Sequence, residues 1–175
     1  MSTDYVHLAR ELTRGNDCQH IDKEASVMNL CKSAFATAAI LCLLAPCYAA
    51  DQNAHVMEPV HQFFDALGRQ DKAGMLAVVT QGLEITSVHQ GELRRLDINK
   101  LTDAIAAHRG GPIAEHIYHP IVQVDHDLAV VWAPYTFTIS GHVDHCGTDV
   151  ITLGKLNDRW IIIGLSDSER KENCQ

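Results

Sequence analysis

From Pro112 onward the chain reads as an unbroken series of β-strands joined by very short turns, and nothing else in it constrains the fold as strongly. Ile113 to Val124 leads to a turn at Asp125-His126. Leu128 to Ile139 follows, Ser140-Gly141 turns the chain, and His142 to Leu156 returns. Asn157-Asp158 turns it again, and Arg159 to Asp167 closes the run. Two-residue turns of Asn, Asp, Ser and Gly match the twist of antiparallel neighbours, so this text predicts a long meander. Such a sheet needs a second layer over its apolar face.

The preceding residues supply that layer. Val56, Val60, Phe63, Phe64 and Leu67 recur at helical spacing, with Gly68 as a stop. Asp71 is placed to cap a second short helix, Lys72 to Val79, whose apolar positions are Met75, Leu76 and Val79. Leu83 to Val88 alternates as a short strand. Asp97 caps a third helix carrying Ile98, Leu101, Ala104 and Ile105, which Gly110-Gly111-Pro112 ends. Helices first and a meander afterwards predict an α+β domain, with the helices packed on one face of a curved antiparallel sheet. Residues 50–175 read as that single domain.

The first part of the chain is different text. Residues 1–27 are polar and mixed in charge, an N-terminal extension or an over-extended translation start. Residues 28–49 have the three parts of a secretory signal peptide: Lys32 in a short basic region, an apolar run from Ala34 to Leu44, and small residues before a cut after Ala49. The apolar run is short for a bilayer span, which takes about 20 residues, so contact with a membrane is expected only if the signal stays uncleaved. A periplasmic or secreted location follows. Four of the six cysteines lie in the part to be removed, leaving Cys146 and Cys174 either as one disulfide or as two free thiols. The 14 basic against 22 acidic side chains argue against nucleic-acid binding, which needs a basic surplus to neutralise phosphates.

Several segments carry a family resemblance. Phe63-Phe64-x-Ala66-Leu67-x-x-x-Asp71 opens the domain. Trp132-Ala133-Pro134-Tyr135-x-Phe137, His145-Cys146-Gly147-x-Asp149 and Trp160 follow in the strands. Together they resemble the nuclear transport factor 2-like superfamily, in particular its SnoaL-like or lumazine-binding bacterial branch, over roughly Val56 to Cys174. The resemblance implies a cone-shaped α+β fold with a cavity between helices and sheet. It does not imply one activity, since the superfamily includes isomerases, dehydratases, cyclases and non-catalytic binders.

Hairpin turns also fix which side chains share a face. With undisturbed two-residue turns, Trp132 falls opposite Asp149, Thr136 opposite His145 and Asp149 opposite Ser166, with Arg170 on the same face. His119 joins them if Asp125-His126 is equally tight. That face has aliphatics at one end and Trp, His, Asp and Arg at the other, as a ligand cavity requires. His145 and Asp149 are then the candidate general base or acid, and Trp132, His119, Thr136, Ser166 and Arg170 the candidate ligand contacts. His145 and Asp149 stand four strand positions apart, roughly 13 Å, so they form no direct dyad.

No metal and no cofactor is expected. Residues three apart on a strand point to opposite faces, so His116-x-x-His119 and His142-x-x-His145 do not chelate as they would on a helix. No phosphate loop, nucleophile elbow or dinucleotide fingerprint occurs. Three functions remain open. The chain binds a small, partly apolar organic ligand; or it is an isomerase, dehydratase or cyclase using Asp149 or His145; or it is a non-catalytic module that forms a homodimer through its sheet.

Overall fold

The computed structural model describes residues 45–174, with side-chain surroundings from Gln52 onward. The expected extension 1–27 and the apolar run Ala34 to Leu44 lie outside the described residues. In order, the elements are α1 (Ala45–Gly68), α2 (Lys72–Leu76), β1 (Glu84–His89), β2 (Glu92–Asp97), α3 (Ile98–Ala107), β3 (Ile113–Ile117), β4 (Ile121–Asp125), β5 (Leu128–Ile139), β6 (His142–Leu156) and β7 (Arg159–Arg170). Ala49, the expected cleavage point, falls in the first turns of α1. No helix among the described residues is long and apolar enough to cross a membrane.

Both expected helix caps are present. The Asp71 carboxylate accepts from Gly74 N at 3.0 Å, and that of Asp97 accepts from Asn99 N at 2.8 Å. Each satisfies backbone donors that the first turn of a helix leaves unpaired. α2 ends at Leu76, earlier than the apolar pattern suggests, and Val79 instead bridges to Ile162 of the sheet.

The sheet runs β2-β1-β7-β6-β5-β3, with β4 also paired to β5. All neighbours are antiparallel except β1 and β7, which are parallel. The sheet is therefore mixed at one edge. Helical side chains Val56, Val60, Phe63, Leu67, Ile98 and Ile105 pack with Ala129, Val131, Ala133, Ile151, Leu153 and Ile162 from the strands. Fully burying one such side chain stabilises by about 1.5–3 kcal/mol, so this layer contact is the main source of cohesion.

Two features depart from expectation. The run Ile113 to Val124 is two strands rather than one, broken where His119 adopts a φ of 44° before Pro120, which has no N–H to give a ladder. The edge strand β2 has no sequence alternation to announce it, because Glu92 to Leu96 are all exposed. It is formed by a tight turn at Gln90-Gly91, with φ of 50° and 80°.

The expected turns at Ser140-Gly141 and Asn157-Asp158 exist, with positive φ at all four residues. The register deduced from them does not persist. Thr138 pairs with Val143 but Phe137 pairs with His145, leaving Asp144 as an extra residue in β6. In β7, Leu153 pairs with Ile162 but Thr152 with Gly164, leaving Ile163 extra. Each bulge shifts the pairing by one residue, and a one-residue shift exchanges the two faces relative to the neighbouring strand.

Candidate functional site

The bulges decide what lies on the helix-covered face. Trp132 pairs with Val150 and Ile121, not with Asp149, and is 50% exposed on the outer face. Ser166 pairs with Val150 and Thr86, Arg170 with Cys146, and Thr136 with Cys146 and His116, so these three also belong to the outer face. Thr136 is nevertheless buried there. His119 sits in the β3–β4 connection, exposed and outside any strand pair. Of the seven expected ligand and proton-transfer residues, only His145 and Asp149 remain on the covered face. The common face expected for all seven is thus corrected, and its cause is the pair of bulges within otherwise regular hairpins.

Cys146 also points outward, to a disulfide with Cys174 whose Cα atoms are 5.5 Å apart. Of the two readings of these cysteines, the structure has the bridge. It ties the chain end to β6 just beyond the last β7 residue.

Asp149 gains different company on its own side. Across the sheet, one row runs Ala133, Asp149, Asp167 and Ser87; the next runs Ile117, Tyr135, Gly147, Glu169 and His89; a third runs Glu115, Phe137 and His145. Gly147 makes room within this cluster. A Cβ there would stand 1.7 Å from Ser168 O and 2.8 Å from the Tyr135 ring. The Tyr135 hydroxyl donates to Ser168 O at 3.2 Å and reaches Asp167 Oδ2 at 3.5 Å, while Ser87 Oγ donates to the same Oδ2 at 3.1 Å. His145 stacks on Phe137 with ring centroids 4.9 Å apart, and its Nδ1 lies 2.9 Å from Asp144 Oδ2. His89 Nδ1 lies 3.4 Å from Glu169 Oε1.

Glu115 and Asp149 share a carboxyl–carboxyl hydrogen bond across β5, which requires that one of them carry a proton. Burial drives the Glu115 carboxyl well above the carboxylate range, and the neighbouring Asp149 and Asp167 charges add to this. Burial also pushes Asp149 up to about 7; the bond from Glu115 opposes that shift and the Asp167 charge reinforces it. Asp167 is raised in turn by burial, with Ser87 opposing, and the Tyr135 phenol is raised by burial and then by Asp167. Loss of hydration disfavours every charged form in such a place. Asp149 Oδ2 is the key atom. The residue is 4% exposed, yet among the described residues this oxygen has no hydrogen-bond partner. A buried polar atom left so costs roughly 1–3 kcal/mol.

Glu115, Tyr135 and Asp167 were not among the residues singled out from sequence. Glu115 had a usable signal, since it alternates with Ile113 and Ile117 and so occupies an inward position of an apolar pattern. Tyr135 shares the face of Asp149 only because of the bulge in β6, since an unbroken hairpin would pair it with Cys146 rather than Gly147. Among the described residues, no group of His, Cys, Asp and Glu is arranged to hold a metal ion.

A separate groove of 670 Å³ lies at the far end of the sheet, lined by Gln52, His55, Glu58, Lys155, Arg159 and Trp160 among others. It mixes both signs of charge. None of the unpartnered buried polar atoms among the described residues lines it, so the carboxyl cluster is the stronger candidate.

Comparison with known proteins agrees on the fold. A nuclear transport factor 2-like protein of unknown function from Shewanella baltica is 17% identical, with 70% of this chain and 97% of that one covered, at a TM-score of 0.56. A nuclear transport factor 2-like protein with a cystatin-like fold from Novosphingobium aromaticivorans is 12% identical, with 75% and 90% covered, at 0.59. A protein of unknown function with a cystatin-like fold from Nostoc punctiforme is 16% identical, with 69% and 92% covered, at 0.56. No curated protein matches the chain. The family model described as "Putative lumazine-binding" matches residues 51–165, well over half of the chain. With that span running from α1 into β7, the chain belongs to this family, and its fold is that of the nuclear transport factor 2-like proteins.

Proposed function

We propose that the chain binds a small, partly apolar organic molecule against the carboxyl cluster on the helix-facing side of its sheet, and does so in a periplasmic or extracellular setting. The observation that carries the reading is Asp149 Oδ2, a buried oxygen with no hydrogen-bond partner among the described residues. A ligand donor at that point would supply the missing bond. Phe137, Ile117, Ala133 and Leu165 provide apolar contact around it. The description of the family makes a lumazine a sensible first probe. The Cys146–Cys174 bridge and the apolar text of residues 28–49 support the compartment.

The test is thermal denaturation of the purified protein against a panel of small heterocycles. Ligand-dependent stabilisation should vanish in Asp149→Asn and persist in Trp132→Ala. Loss in Trp132→Ala with retention in Asp149→Asn would overturn the assignment of the site.

A catalytic reading has its own support, since a carboxylate that titrates near neutrality beside a protonated Glu115 suits a general base. Asp149-dependent exchange of solvent deuterium at a carbon next to the carbonyl of a bound ligand would favour an isomerase-type activity. A homodimer through the sheet is supported by exposed Ile121, Val130 and Trp132 on the outer face, and sedimentation of Trp132→Glu against the parent protein tests it.

A further inference from the structure

We propose that the carboxyl cluster around Asp149 selects a planar organic cation, such as an amidinium or a protonated aminoheterocycle, over neutral or anionic molecules of the same shape. The proposal rests on the reading of Asp149 as a ligand-facing group, and adds the charge of the ligand.

Asp149 Oδ2 lies among other carboxyl groups. Glu115 comes from β3, Asp167 and Glu169 from β7, and Asp149 itself from β6, so three strands deliver four carboxyl groups to one face. No lysine or arginine occupies the rows that hold them within β3, β5, β6, β7 and β1. The nearest cation along the Asp149 row is Arg94, opposite Ser87 on the edge strand β2, and its guanidinium lies 4.0 Å from Glu92. His145 Nδ1 lies 2.9 Å from Asp144, whereas His89 Nδ1 lies 3.4 Å from Glu169 without a hydrogen bond to it. Ser87 and Tyr135 spend their hydroxyl hydrogens on Asp167 and Ser168. What faces the ligand position is thus acceptor-rich and negative.

Geometry narrows the shape. Asp149 offers an open acceptor, and neighbouring carboxyls offer others within one strand spacing, about 5 Å. A flat group with paired N–H donors meets such acceptors in parallel, and its positive charge makes each bond charge-assisted. The same charge lets the Glu115–Asp149 pair release its shared proton on binding. An anion would add a further like charge to a poorly hydrated site, which costs far more there than in water.

Acetamidinium, acetamide and acetate share one small planar shape and differ in charge, so they separate charge from fit. Each is titrated at millimolar concentration into the isotope-labelled full chain, and backbone amide shifts are followed. Acetamidinium is expected to move the signals of Gly147, Asp149 and Asp167, with acetamide at least about tenfold weaker and acetate silent there. Asp149→Asn and Asp167→Asn should each weaken acetamidinium by about tenfold, whereas the exposed Asp103→Asn should not. The two site variants cover one another should either lose a dispersed, folded spectrum. Acetamide or acetate binding at these residues as tightly as acetamidinium would overturn the cation preference and leave the ligand site standing. Silence of these residues toward all three probes would overturn both.

Discussion

Asp149 on β6 stands directly opposite Asp167 on β7, two acidic side chains paired across the covered face of the sheet. Like charges so placed oppose strand pairing, and burial makes the opposition stronger. The protein moderates the conflict by keeping protons. Asp149 and Asp167 are both raised by burial, and Glu115, bonded to Asp149, is raised further. An arrangement that costs stability where hydrophobic packing would serve is more readily explained by binding than by folding.

The proton affinity has a definite sign in stability. Unfolded aspartate titrates near 4, whereas folded Asp149 titrates at about 7. Below both values each state is protonated and this group costs nothing. Between them the folded state holds more protons than the unfolded one, so the contribution of Asp149 makes stability fall as pH rises, levelling off above about 7. Asp149→Asn removes that fall. Urea denaturation should find the variant on the order of 2 kcal/mol more stable than the parent protein at pH 8, and at pH 4 no more stable. A stability difference that is the same at both values would refute the linkage.

Much of the fold is legible in the chain because its elements rest on local rules. The Asp71 and Asp97 caps, the helical stripe of Val56, Val60, Phe63 and Leu67, and the turns at Ser140-Gly141 and Asn157-Asp158 are all as the residues suggest. The site is less legible because it depends on two bulges. Neither bulge has a local signal: Ile163 is a favoured strand residue, and Asp144, though of a type depleted in strands, sits in a run that otherwise continues the ladder. The resulting one-residue shifts give Trp132, Thr136, Ser166 and Arg170 partners that unbroken hairpins would not. β2 was invisible for another reason, since an exposed edge strand needs no apolar alternation.

Gly147 should tolerate no side chain. The nearest obstacle to a Cβ is the Ser168 carbonyl oxygen at 1.7 Å, a backbone atom of a paired strand that moves only with its ladder. Overpacking of this kind costs about 1–3 kcal/mol and sometimes more. Gly147→Ala is therefore expected to lower stability by about 3 kcal/mol and to disturb Tyr135, whose ring is the next contact. Denaturation measures the first effect, and the near-ultraviolet tyrosine signal the second. A variant as stable as the parent would show that β6 and β7 do not approach as described.

Trp132 should behave as a surface residue. It is half exposed on the outer face, away from the carboxyl cluster. Acrylamide should quench its emission efficiently in the monomeric protein, and Trp132→Ala should change stability by less than about 1 kcal/mol. Ligands that shift the Asp149 region should leave its fluorescence unchanged. Strong protection from quenching at high dilution, where no dimer persists, would contradict the outer placement.

The disulfide gives a separate handle on the same strands. Cys146 is flanked by His145 and Gly147, and Cys174 follows the end of β7 at a sequence separation of 28. Closing a loop of that length restricts the unfolded chain by about 3.6 kcal/mol on the chain-entropy model. The bridge lies on the outer face, so its loss should weaken the fold without removing any group from the carboxyl cluster. Cys174→Ser is accordingly expected to lose about 2–4 kcal/mol in urea denaturation. It should keep the dependence on pH that Asp149 imposes, because the buried carboxyls remain in place. Dithiothreitol should produce the same loss in the parent protein and none in the variant. If Cys174→Ser abolished the pH dependence, the tail and the site would be one mechanical unit, and the separation of the two faces of β6 would have to be given up.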